Sequence, residues 1–409
     1  MAATRKSMLG LLLAASTLAG GAATAQEEDL TVLPAPSDAY QPSLTAWGEP
    51  DFRGGWPIDH LNGRTPLQRA PEHGNRQLLT QEEFADRADM VEQLEQRYQN
   101  EDSTDTMGIG HWAEVAAANR RTSWITSPAD GQLPAYTAEG QRLSDAMRST
   151  WAQGQPFDWV DDFDSWDRCV SRGFPASMYP FRYNNGIRVF QSPGYMTIVL
   201  EMLGTRVVKI YDSKEAAHAA KWDESVEAWM GNSRGWWEGK TLVIETTNIV
   251  SGDSATEVVS ERSASPLNMA TQFTGTLDVP AFNTVPMSTE AMTVERLTMT
   301  GPDTIIHELT YTDPKVYTQP WTTRLAWTRD DDYQFFEYAC HEGNYMPRDY
   351  ISASRAQQAR IAAGEEDPVT AENDDRSRFA QPFDHDPGTG PRPGFGPPPP
   401  ADDEEEADG

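Results

Sequence analysis

Hydrophobic positions change their period once along the chain. Over residues 26–75 Pro and Gly are frequent and no period holds, while Trp47, Phe52 and Trp56 stand alone. This predicts an irregular arm pinned to a body by its aromatics. Thr80 with Glu83 three residues later has the form of a capping box, and Phe84, Ala88, Val91, Leu94 and Tyr98 follow at helical spacing. Further helices are predicted over His111–Arg121, Thr137–Ala152 and Ile351–Ala363.

From Gly186 the period becomes two. Short β-rich runs follow: Ile187–Gln191, Met196–Met202, Val207–Tyr211, Leu242–Thr247, Met292–Met299, Ile305–Thr312, Thr322–Thr328 and Tyr333–Ala339. Turn signals such as Ser192-Pro193-Gly194, Glu238-Gly239-Lys240 and Gly301-Pro302-Asp303 separate many of them. With no regular helices between, these strands predict a mainly β (α+β) fold, an antiparallel meander closed as an up-and-down barrel or stacked as a sandwich. The expected organisation is a segment 1–25, an irregular and helical part 26–160, a β-barrel 161–350, a helix 351–364 and a tail 365–409.

Composition changes this picture in two ways. The 409 residues include 13 Trp, 13 Tyr and 14 Phe, too many aromatics for a polar coil, so a core is expected. The net charge of −30 opposes binding to nucleic acid or docking on an anionic membrane. The charge is unevenly placed. Residues 365–409 hold 14 acids and 3 bases, and residues 1–25 hold only Arg5 and Lys6, which leaves −21 on the part between. The tail is Pro-rich and acidic without apolar periodicity, the signature of disorder.

Arg5 and Lys6, the apolar run Leu9–Leu18 and then Ala23-Thr24-Ala25 form a secretory signal pattern, with a mature start near Gln26 and a periplasmic or secreted destination. The apolar run is too short to span a bilayer. Export makes the two cysteines, Cys169 and Cys340, candidates for a disulfide. The rival reading is a nucleophilic Cys340 beside His341.

No HExxH, P-loop or GxGxxG-after-strand pattern occurs, and the seven His are scattered, so neither metal nor cofactor is expected. The acids Asp158, Asp161, Asp162, Asp164 and Asp167 lack an EF-hand's Gly and closing Glu and read as a solvated loop. Candidate chemistry lies in other stretches. In YACHEGNY, His341 is a candidate general base and Glu342 its neighbour. In VYTQPWTTRLAW, Tyr317, Trp321 and Trp327 offer flat surface, and Arg324 alternates with Leu325 and Trp327. If that apolar set packs outward, Arg324 points into the barrel, with Glu201 and Glu337 as possible partners. Arg120 and Arg121 form a basic island. Trp237, with Arg234 and Trp236, precedes a Gly-closed hairpin that would plug one end of a barrel. His307 shares a face with Ile305, Leu309 and Tyr311 and reads as a core histidine.

Six ordered blocks, NRRTSWITSPADGQLP, CVSRGFP to YPF, QSPGYMTIVLE, SRGWWEGKTLVIETTN, VYTQPWTTRLAW and FEYACHE, resemble a family of exported bacterial proteins of sphingomonads and acidobacteria. The match spans about Asn119 to His341. It departs at Trp236, where the family more often carries Arg. The resemblance implies a lipocalin-like or calycin-like β-barrel behind a helical N-terminal part. Relatives occur in bacteria that degrade aromatic and lignin-derived compounds, which implies a cofactor-independent lyase acting on an aromatic dimer.

The resulting expectation is an exported barrel around a small aromatic or apolar molecule, walled by Trp321, Trp327 and Trp237 with Glu337 nearby. As an enzyme it would perform elimination or retro-aldol cleavage. His341 or Glu201 would abstract a proton, Arg121 or Arg324 would hold the oxyanion, and Tyr317 would return a proton. A carrier without turnover and a hydrolase with paired carboxylates remain open beside it.

Overall fold

The computed structural model describes residues 28–58, 65–104, 114, 117–146, 156–163, 165–181, 183–250 and 285–370. The signal pattern, most of the expected helix His111–Arg121, the end of the helix after Ala146 and the tail beyond residue 370 lie outside these. Among the described residues, no helix is long and apolar enough to cross a membrane.

The structure is mostly β. Ten strands form one sheet: β1 (Gly54–Gly55), β2 (Ile125–Ser127), β3 (Ile187–Ser192), β4 (Tyr195–Leu200), β5 (Thr205–Tyr211), β6 (Asn232–Glu238), β7 (Thr241–Thr247), β8 (Met292–Gly301), β9 (Thr304–Thr312) and β10 (Trp321–Thr328). Their order is β1-β3-β4-β5-β6-β7-β8-β9-β10-β2. The sheet curls. At one end Gly54–Ile58 runs between its two flanks: Trp56 N donates to Ile187 O and Ile58 N to Asn185 O, while Asp330 N donates to Gly55 O and Ile58 bridges Trp327. Glycine is required at position 55, because a Cβ would stand 2.5 Å from the Asp330 carbonyl oxygen.

The expected meander is corrected at one pairing. β5 and β6 run parallel, with Lys209 opposite Arg234 and Tyr211 opposite Trp236. Parallel neighbours need a long crossover, and residues 212–231 supply it with a short helix, α3 (Lys214–Ala219). Ser213 caps α3 by accepting from Ala216 N at 3.2 Å. The sheet is therefore mixed. The expected strand Tyr333–Ala339 is also absent, since Phe336 N donates to the Glu201 carboxylate at 2.7 Å and not to a neighbouring strand. Conversely β6 forms around Gly235, whose bare Cα lets β5 approach: a Cβ there would meet Val208 Cγ1 at 3.1 Å.

The longest helix among the described residues, α1 (Gln81–Ser103), starts at the expected capping box. Thr80 N donates to Glu83 Oε2 at 2.7 Å, and Glu83 N to Thr80 Oγ1 at 3.1 Å. Val91, Leu94 and Tyr98 are its buried stripe. α2 (Ala138–Ala146) and α4 (Met346–Ala362) fall where helices were expected. Residues 117–121, the described end of the His111–Arg121 prediction, form no helix; Arg121 bridges Leu78 in extended form. Phe52 and Trp56 are fully buried, and the Trp56 indole donates to Phe52 O at 2.7 Å, so the N-terminal arm is pinned as its aromatics predicted.

Strand alternation decides which side is core. In β10, Trp321, Thr323, Leu325 and Trp327 are buried and the residues between are not; in β9 the buried set is Ile305, His307, Leu309 and Tyr311. These point into the curl with Ile187, Val189, Met196 and Ile198. The concave side is thus packed with large side chains.

Candidate functional site

Three strands place charged groups on that concave side. Arg206 on β5 shares a face with Val208 and Ile210, Glu295 on β8 with Leu297, and His307 on β9 with Ile305 and Leu309. All three are at most 1% exposed. The Arg206 guanidinium donates to both oxygens of Glu295, at 3.0 Å for Nη1 to Oε1, and also to Thr246 Oγ1 (2.7 Å) and Ser233 Oγ (2.9 Å). His307 Nε2 lies 2.9 Å from Glu295 Oε1. Burial pushes the Glu295 carboxyl up, but the Arg206 charge and the His307 hydrogen bond outweigh it and bring it down to about 2. Phe174 covers Arg206 at 4.4 Å and Trp327 covers His307 at 5.0 Å. Paired charges under aromatic lids hold the strands in place and offer no open face to a ligand. His307 is thus the core histidine expected.

The sequence-predicted site residues do not converge here. Arg324 points away from the concave side, the reverse of the inward orientation expected, because Leu325 and Trp327 face in. Its Nε and Nη2 bind Glu308 Oε1 (3.0 and 2.7 Å), so its partner is neither Glu201 nor Glu337. Arg121 clamps main chain, with Nη2 on Ser123 O (2.7 Å) and Nη1 on Arg324 O (3.0 Å). Tyr317, Trp321 and Trp327 are core: Tyr317 meets Trp321 edge-on at 6.4 Å, and burial pushes its phenol well above the ordinary value. Trp237 is half-buried and packs edge-on against Phe52 at 5.5 Å.

Glu201, just past β4, is a buried strut. It accepts from Gly186 N (3.0 Å), Phe336 N (2.7 Å) and the Tyr333 hydroxyl (2.7 Å). The same hydroxyl lies 2.8 Å from Glu114 Oε1, so the two carboxylates share one phenol. This is a carboxylate pair, but backbone amides occupy both: Glu114 also accepts from Asn184 N at 2.9 Å.

The expected disulfide Cys169–Cys340 is formed, which leaves Cys340 no thiolate for nucleophilic work. Beside it opens a cavity of about 460 Å³, lined by Trp166, Asp167, Glu337–Cys340, Glu342–Asn344 and Met346. Asn344 Nδ2 ties its floor together by donating to Asp167 O (2.9 Å) and to Cys169 Sγ (3.1 Å). Asp167 is buried, while Glu337 and Glu342 are exposed. Tyr338 stacks on Tyr183 at 6.4 Å, and its phenol is pushed up by burial first and then by Tyr183. His341 is exposed and follows Cys340 at the rim without lining the cavity.

Of the residues named from the sequence, this cavity gathers Asp167, Glu337, Cys340 and Glu342, with His341 adjacent; the other candidates stand apart from it. Trp166 escaped notice, and Asp167 was expected in a solvated loop but is buried; their segment is irregular and carries no periodic signal. Among the described residues, no group of three or more His, Cys, Asp or Glu is placed to hold a metal ion. Compared with protein-family models, curated proteins and solved structures, the chain matches none.

Chemically, the cavity offers two flat aromatic faces and three carboxylates. The rings suit a planar ligand; the carboxylates accept hydrogen bonds from its hydroxyls and can take up a proton.

Proposed function

We propose that this is an exported protein that binds a small aromatic molecule in the cavity beside the Cys169–Cys340 disulfide. The observation that carries the reading is the cavity itself: its volume suits a small ligand, and Trp166 and Tyr338 supply ring contacts beside hydrogen-bond acceptors. The signal pattern of the first 25 residues supports export, and a disulfide is compatible with it. The bonds of Gly54–Ile58 to both flanks of the sheet support a calycin-like barrel as the scaffold.

The chemistry we infer is cofactor-independent lyase action on lignin-derived aromatic dimers. It moves from the residues first expected to those of the cavity. Glu337 or Glu342 takes the proton from the ligand and Tyr338 returns one to the leaving fragment. The carboxylates and the phenol share one wall, which favours this over simple carriage.

The test is incubation of the purified protein with such dimers, followed by calorimetry for binding and mass spectrometry for products. Binding by the wild type, with product lost in Glu337→Gln or Glu342→Gln while the circular dichroism spectrum is kept, supports the lyase. Binding without any product makes it a carrier and sinks the lyase. Binding unaffected by Trp166→Ala removes the ligand from this cavity.

A further inference from the structure

Arg172 is 2% exposed and is not itself part of the cavity lining. Its Nη1 donates to Tyr179 O at 3.2 Å, and its guanidinium sits 5.1 Å from the centre of the Phe181 ring. Nε and Nη2 are buried with no hydrogen-bond partner. These two nitrogens form one edge of the guanidinium, the edge that matches the two oxygens of a carboxylate. In three other arginines that edge is filled: Arg53 places it on Asp51 (2.8 and 2.6 Å), Arg142 on Glu139 (2.9 and 2.6 Å), and Arg324 on Glu308. Arg69, also buried, gives Nε to Thr122 Oγ1 (3.0 Å) and Nη1 to the Ala129 carbonyl (2.6 Å).

Among the described residues, no carboxylate pairs with Arg172. Burial pulls the guanidinium down to about 10, and the groups that act against this are the phenols Tyr183 and Tyr338. At neutral pH the charge remains, desolvated and without a counter-ion, an arrangement that costs free energy until an anion joins it. Phe181 connects this charge to the cavity, since Arg172 lies over its ring and the ring packs at 5.8 Å against Trp166, which lines the cavity.

We propose that the Nε–Nη2 edge of Arg172 receives the carboxylate of an aromatic acid whose ring lies in the cavity beside Trp166 and Tyr338. This rests on the cavity reading above and names its ligand class. The exposed carboxylates Glu337 and Glu342 oppose an anion only through screened solvent and the buried Asp167 opposes it more strongly, whereas the contact with Arg172 is two-pronged and desolvated and decides the sign.

The experiment is calorimetric titration of the whole protein with benzoate and with benzamide, which keeps the ring and loses the charge. Benzoate is expected to bind about tenfold or more tightly than benzamide. Arg172→Lys keeps the charge but removes the edge; it should reduce that preference several-fold. Equal affinity for the two ligands, or an unaltered preference in Arg172→Lys, overturns the assignment of Arg172 and leaves the cavity standing. Failure of both ligands to bind the wild type overturns the cavity reading with it. A second readout needs no variant: the Arg172 Nε–H resonance should shift with benzoate and stay in place with benzamide, and a resonance indifferent to benzoate contradicts the proposal.

Discussion

Cys169 and Cys340 stand 171 residues apart in sequence and 5.6 Å apart between Cα atoms, joined by a disulfide that forms part of the cavity wall. The bond ties the irregular segment around Trp166 and Asp167 to the segment that follows the last strand. Neither segment has a ladder of its own, so the crosslink holds the wall in shape.

The double variant Cys169→Ser/Cys340→Ser should lose about 2–4 kcal/mol, because a long loop is no longer closed in the unfolded chain. Urea unfolding with and without reductant measures it: reductant should shift the wild type and leave the variant unmoved.

The Arg206–Glu295 pair makes the concave core fragile to a single change. Glu295→Gln removes the counter-charge of a buried guanidinium and should destabilise by about 3–5 kcal/mol. Denaturant titration with the fluorescence of the core tryptophans reports the shift.

Acid should act through the same carboxyl. Glu295 titrates near 2 when folded against an ordinary value of 4.5. Its contribution is therefore fully present above pH 4.5 and is lost as pH falls from 4.5 toward 2. The depression corresponds to about 3 kcal/mol, an order of magnitude only. Unfolding free energies measured down that window should fall in the wild type, with a smaller fall in Glu295→Gln.

Much of the fold was legible because its strands carry a strict alternation. Ile305–Thr312 and Thr322–Thr328 match β9 and β10 closely, and Thr80 with Glu83 marked the start of α1. The same alternation marked His307 as a core histidine, whereas its partners drew no notice: Arg206 precedes the expected strand Val207–Tyr211, and Glu295 is one polar residue inside Met292–Met299. What alternation does not state is which face is concave. Arg324 was read inward on the supposition that Trp327 packed outward, and one reversal exchanged wall and surface. The parallel β5–β6 pairing was hidden because α3 is short. The cavity was hidden because Trp166, Asp167 and Arg172 sit in a stretch where turns have no period and contacts are set by the distant Cys340.

That reversal has its own test. Arg324 and Glu308 are a partly exposed pair, so Arg324→Ala should cost about 1 kcal/mol or less and leave ligand affinity intact. Trp327→Ala empties a fully buried site and should cost about 3–5 kcal/mol, again without a selective loss of binding. Thermal unfolding and calorimetry on the two variants separate stability from affinity.

The central claim is the place of the ligand, and a crystal structure of the protein soaked with benzoate measures it directly. The account predicts density for the ring between Trp166 and Tyr338, beside the disulfide. Density on the concave side of the sheet against His307 and Trp327, or an empty cavity at a concentration that saturates binding in solution, would contradict it.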